Sequence, residues 1–121
     1  MKIEDRILQI VSSYMDISIS EMKGRTRMRK AVEARQAFFY IYYNLIPITY
    51  RELGYILNRD HATVIYSIKT VENIISVYQD KNTDIKNMMD LAKKEVNIFA
   101  SDIIMPDDIF LENDFYVIKS C

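Results

Sequence analysis

Apolar residues recur at helical spacing through most of the chain. Ile3, Ile7, Ile10 and Tyr14 fall three or four residues apart and predict one face of a first helix. Ser18-Ile19-Ser20-Glu21 has the S-x-x-E form of a capping box, which predicts a short helical turn ended by Gly24. Gly24-Arg25-Thr26-Arg27 reads as a basic loop. A longer helix over about 28–45 carries Phe38, Phe39, Tyr40, Tyr42 and Tyr43, and Pro47 stops it. Thr49-Tyr50-Arg51-Glu52 is a second capping box, opening a short helix over 49–57 with Leu53, Ile56 and Leu57 inward. Asn58-Arg59-Asp60 forms a turn, and from about His61 to Tyr78 the stripe Val64, Ile68, Val71, Ile75, Tyr78 predicts another helix. Asp80 to Thr83 reads as a break, and Ile85, Met89, Ala92, Val96 and Phe99 give a last helix. After Ser101 the periodicity fails. Pro106 and a cluster of acids mark a tail, in which Phe115 to Ile118 reads as a short strand or a docking segment. The expectation is an all-α fold: a compact helical domain over 1–101, with a helix-turn-helix at about 49–78, followed by an acidic tail over 102–121.

Composition narrows this picture. With 121 residues, 50% of them hydrophobic and 12% aromatic, the chain has enough apolar surface for one domain with a real core. Only 2 Gly and 2 Pro argue against a turn-rich β architecture. The one cysteine, Cys121, excludes a disulfide within the chain and a cysteine-based zinc site, and fits a reducing compartment. The opening MKIEDRILQI carries acids and lacks the long apolar centre of a secretory signal. No apolar run approaches the roughly 18 residues of a membrane span.

A net charge of −1 looks wrong for a nucleic-acid binder, but the charge is sorted along the chain. Residues 102–121 hold Asp102, Asp107, Asp108, Glu112 and Asp114 against Lys119, and the remainder carries a net +3. Between 23 and 35 stand Lys23, Arg25, Arg27, Arg29, Lys30 and Arg35 against Glu33 alone. A local patch of this kind governs association more than the sum does.

Enzyme chemistry has little to work with. There is one histidine, no plausible cysteine nucleophile and no G-x-x-x-x-G-K-[ST] phosphate loop. Asp102, Asp107 and Asp108 lie in the tail, a poor place for a metal site. The reading is a non-enzyme with no catalytic residue, no cofactor and no metal.

The capped short helix, the turn and the longer helix make a helix-turn-helix candidate. Arg59-Asp60-His61-Ala62-Thr63-Val64 places polar side chains at the start of the second helix, where such a helix enters the major groove. Asp60 suits a cytosine amino group, and His61 can donate to or accept from base edges. Ala62 offers a methyl to thymine, and Thr63 a methyl and a hydroxyl. Blander roles stand beside these. Asp60 also suits the N-cap of the following helix, the basic run suits a solvated face, and the aromatic cluster at 38–43 suits the core.

At these residues the sequence resembles the C-terminal DNA-binding domain of the bacterial chromosomal replication initiator DnaA. The family's strongest motif, R-D-H-T-T-V, stands here as Arg59-Asp60-His61-Ala62-Thr63-Val64. Ala34-Arg35-Gln36 matches its A-R-Q, Glu52-Leu53-Gly54 its E-I-G, and Arg25, Arg27 and Arg29 fall on its basic loop. The resemblance covers about 5–78, most strongly 25–71. Ala62 stands where the family has threonine, and Asn58 where glycines are common. The resemblance implies a helical domain that binds the double-stranded DnaA box at an origin or promoter, in the cytoplasm and on the nucleoid. It implies major-groove contacts from Asp60, His61 and Thr63, a minor-groove contact from Arg27, and further contacts from Arg25, Arg29, Arg51, Arg59 and Ala62. The initiator's ATPase domain is not in these 121 residues, so the expectation is a stand-alone DNA-binding domain. The competing reading is a protein-interaction module that keeps the fold and binds a replication or regulatory partner through its last helix or acidic tail.

Overall fold

The computed structural model describes residues 2–77, 79–103, 111–112 and 115–116. Among these described residues six helices run in chain order: α1 (Ile3–Met15), α2 (Ile19–Lys23), α3 (Arg29–Leu45), α4 (Tyr50–Ile56), α5 (His61–Val77) and α6 (Gln79–Ile103). Two short antiparallel strands follow, β1 (Leu111–Glu112) and β2 (Phe115–Tyr116), pairing Leu111 with Tyr116 and Glu112 with Phe115.

Helix α3 is the axis of the domain and packs on each of the other five helices. Its sequence explains why. Ala31, Ala34 and Ala37 are small enough to let neighbouring helices approach, while Phe38, Phe39, Ile41, Tyr42 and Leu45 fill the space between them. The Phe38 ring lies 5.9 Å from that of Phe39 and 5.5 Å from that of Tyr42, in tilted pairings that aromatic rings favour. Burial, with a smaller push from Glu4, raises the Tyr42 phenol to about 12. The aromatic run is therefore core.

Helix α1 is set by Ile7, Leu8 and Val11, all fully buried or nearly so. The predicted stripe is rotated at its end: Tyr14 is exposed, and its hydroxyl accepts from Asn87 Nδ2 at 2.9 Å. Arg6 pairs with Glu95 at 2.6 Å, tying α1 to α6. Both capping boxes are formed. Ser18 Oγ accepts from the Glu21 N–H at 3.0 Å, and Thr49 Oγ1 accepts from the Glu52 N–H at 3.1 Å.

The last helix differs from the sequence expectation at both ends. Residues 80–83 are helical within α6 rather than a break, and the helix continues past Ser101 to Ile103. The apolar positions Ile85, Met88, Ala92 and Val96 pack against the core, and that docking overrides the polar Asp80–Thr83 stretch. Tyr78 and most of the predicted tail lie outside the described residues.

Candidate nucleic-acid interface

The helix-turn-helix is made by α4 and α5, joined through residues 57–60. Leu53 and Leu57 of the first half, and Val64 and Ile68 of the second, are buried in the common core. The turn closes where the Arg59 N–H donates to the Gly54 carbonyl at 2.8 Å. A Cβ at position 54 would collide with the Arg59 carbonyl oxygen and crowd the Val64 side chain. Gly54 is thus required by close backbone approach. Asn58 takes the left-handed conformation, with φ of 58°, which asparagine tolerates better than other side chains do. This is how the turn manages without glycine there.

Asp60 caps α5: its Oδ1 accepts from the Thr63 N–H at 2.9 Å. That bond, followed by one from the Thr63 hydroxyl, holds the Asp60 carboxyl below its ordinary value. The group is an anionic acceptor throughout the neutral range. Val64 and Ser67 are buried, while His61, Ala62 and Thr63, in the first turn of α5, are all exposed. Tyr66 is 68% exposed, three residues after Thr63 and four after Ala62, so it extends the same outer face by one turn. Sequence reasoning passed over Tyr66; its spacing from Thr63 is the signal that finds it.

Beside this surface lies the loop from Gly24 to Met28. Thr26 Oγ1 accepts from the Met28 N–H at 3.2 Å, while Arg25 and Arg27 stand exposed. Arg29 is expected on the loop but is the first residue of α3. There, no side chain caps the helix, and the first turn holds no acid. Bases in that position oppose the helix dipole. Arg29 pairs with Glu33 at 3.4 Å and Lys30 with Asp16 at 3.8 Å, exposed contacts worth little. Positive charge is concentrated here against local helix preference. Arg51 is exposed in the first turn of α4.

The two remaining motif arginines are turned onto backbone. Arg35 is buried, and its guanidinium donates to the carbonyls of Met22 (2.7 Å), Glu21 (2.9 Å) and Gly24 (3.2 Å). Burial lowers its affinity for the proton, and the neighbouring Arg59 charge lowers it further. Arg59, expected to contact DNA, donates through Nη1 to the Leu57 carbonyl at 2.7 Å and through Nη2 to the Gly24 carbonyl at 2.6 Å. Between loop and turn lies a concavity of about 480 Å³ whose lining includes Lys23, Arg25, Arg27, Arg35 and Arg59 and, among the described residues, no acid.

Two kinds of comparison bear on this arrangement. Residues 4–71 match the family model for the bacterial dnaA protein helix-turn-helix. The chain is similar to the chromosomal replication initiator protein DnaA of Bacteroides thetaiotaomicron, 32% identical over 92 residues that make up 75% of this chain and 20% of that protein. It is 31% identical to DnaA of Tropheryma whipplei over 77 residues, 64% of this chain and 16% of that protein. Against DnaA of Kosmotoga olearia it is 33% identical over 93 residues, 74% of this chain and 21% of that protein. The chain spans about a fifth of the length of the curated relatives it matches. The matched segment contains the central helix, the basic loop, the turn and the head of α5 in the arrangement described, and the chain belongs to the bacterial DnaA helix-turn-helix family.

Proposed function

We propose that this chain binds double-stranded DNA sequence-specifically, at sites like the DnaA box in an origin or promoter, and that it does so without ATPase activity. The observation that carries the reading is the head of α5. Val64 anchors it in the core while Asp60, His61, Ala62 and Thr63 are exposed beside a basic concavity. Family membership supports the same partner class.

In this reading the first turn of α5 enters the major groove. Asp60 accepts from a cytosine amino group, His61 bonds a base edge, and Ala62 and Thr63 contact thymine methyls. Arg27 reaches the adjacent minor groove, where negative potential is enhanced over A·T-rich DNA. Arg25, Arg29 and Arg51 meet phosphates and supply affinity that falls with salt. The uncapped, base-rich start of α3 fits that role, because local preference has given way to positive potential at this surface.

The test is fluorescence anisotropy of the chain with box-containing and scrambled duplexes across a salt series. Sequence-specific binding should exceed scrambled binding by about a thousandfold or more. Equal affinity for the two duplexes at every salt concentration would remove the reading.

A further inference from the structure

Arg59 links two parts of the molecule that are far apart in sequence. Its Nη1 is held by the Leu57 carbonyl inside the helix-turn-helix, and its Nη2 reaches the Gly24 carbonyl, 35 residues earlier. Gly24 ends α2 and opens the loop that carries Arg25 and Arg27. The same Gly24 oxygen also accepts from Arg35 Nη2, whose Nε is fixed on Met22 of α2. One carbonyl therefore joins three elements: α2, the central helix through Arg35, and the turn through Arg59.

Two guanidiniums on one oxygen repel each other, so the arrangement carries an electrostatic cost. A planar fork is the side chain suited to it, because it can hold two carbonyls at once in a set orientation. A lysine has the charge without the fork. The geometry has a consequence for reading DNA. A loop in one groove and a helix in the next add their contributions only if their separation is already right before binding.

We propose that Arg59, with Arg35 behind it, is a positioning residue: through the Gly24 carbonyl it holds the basic loop at a set distance from the head of α5, so that Arg27 and the Asp60–Thr63 turn read adjacent grooves as one unit. This rests on the duplex-reading function above and assigns Arg59 to the protein's own frame rather than to a groove or a phosphate.

The experiment compares Arg59→Lys, Arg59→Gln, Arg27→Ala and Arg27→Ala combined with Arg59→Lys in the full chain. One arm needs no DNA: heteronuclear NOEs of the Arg25 to Met28 amides, with α3 and α5 amides as reference. Both Arg59 variants should lower the loop values and leave the helices unchanged. The second arm measures affinity for duplexes differing only in the flanking A·T pairs. Arg59→Lys should lose that preference as fully as Arg59→Gln, with affinity down about tenfold, and adding Arg27→Ala should then cost less than about twofold more. Unchanged loop NOEs overturn the proposal. So does an Arg59→Lys variant that keeps the flanking preference while Arg59→Gln loses it, because charge alone would then suffice. If the Arg59 variants do not fold, rotation of the Arg59 guanidinium in the unaltered free protein decides. Hindered rotation about Cζ–Nη supports the clamp, and free rotation overturns it. Absence of any flanking preference in the unaltered chain counts against the duplex-reading function, while the loop-order arm still judges the clamp.

Discussion

One carboxylate, that of Asp60, serves both the helix it starts and the surface it faces. Its Oδ1 holds the Thr63 N–H, so replacing it by alanine removes a cap and, in the proposed function, a base acceptor as well. Serine separates the two roles, since it still caps but is too short to reach a base edge. Asp60→Ser should leave the thermal midpoint near that of the parent chain while preference for the proper site over a one-base variant falls about tenfold or more. Competition binding beside thermal melts measures this pair of effects. The cap also predicts a pH dependence. The carboxyl's value is lower folded than the ordinary 3.8, so its contribution to stability is complete above 3.8 and is lost below it, as pH falls through the depressed value. Asp60→Ser should flatten that part of an acid unfolding curve. The roles proposed for the loop arginines can be told apart in the same residue-by-residue way. Arg27→Ala should weaken preference for flanking A·T pairs, whereas Arg25→Ala should reduce affinity evenly across sequences and lower the salt slope by about one. Equal losses on every duplex would make the loop an electrostatic anchor only.

At the scale of the element, the turn between α4 and α5 depends on one backbone approach. Gly54→Ala would drive a methyl against the Arg59 carbonyl oxygen, a rigid backbone atom that has no side-chain freedom with which to yield. The expected loss is about 1–3 kcal/mol, read from the urea midpoint. The same change displaces the residue that reaches Gly24, so loop order should fall with stability. Asn58 is the opposite case: with φ of 58° it sits where glycine carries no steric penalty, and Asn58→Gly should be nearly neutral. Of the two elements, α4 was legible in detail, because Thr49 and Glu52 name their partners through spacing alone. The junction of α5 and α6 was not. Asp80 to Thr83 has no apolar rhythm and looks like a loop, yet docking of Met88, Ala92 and Val96 keeps the chain helical from Gln79.

For the whole molecule the unequal charge distribution matters most. The bases gather around residues 23–35, while residues 104–121 hold Asp107, Asp108, Glu112 and Asp114 against Lys119. Because α6 runs to Ile103, a truncation that tests the tail should end there rather than at Ser101. Removing 104–121 should strengthen DNA binding at low salt, and the gain should shrink as salt screens tail and phosphate alike. Unchanged affinity at low ionic strength would dismiss masking of the basic loop. A lower melting temperature after truncation would instead indicate that the segment around Phe115 docks on the helices.

The sequence by itself determined the helical class, the two capped starts, the aromatic core and the place of the helix-turn-helix. Each is a local matter: apolar spacing sets a face, and a capping box sets a start. Tertiary structure alone decided what the motif arginines do. Arg35 and Arg59 look like two more members of a basic patch, and nothing in their spacing says that both end on the Gly24 carbonyl. A guanidinium bonds whichever acceptors the fold brings within reach, and α2, α3 and the turn meet at Gly24 only after the core has closed.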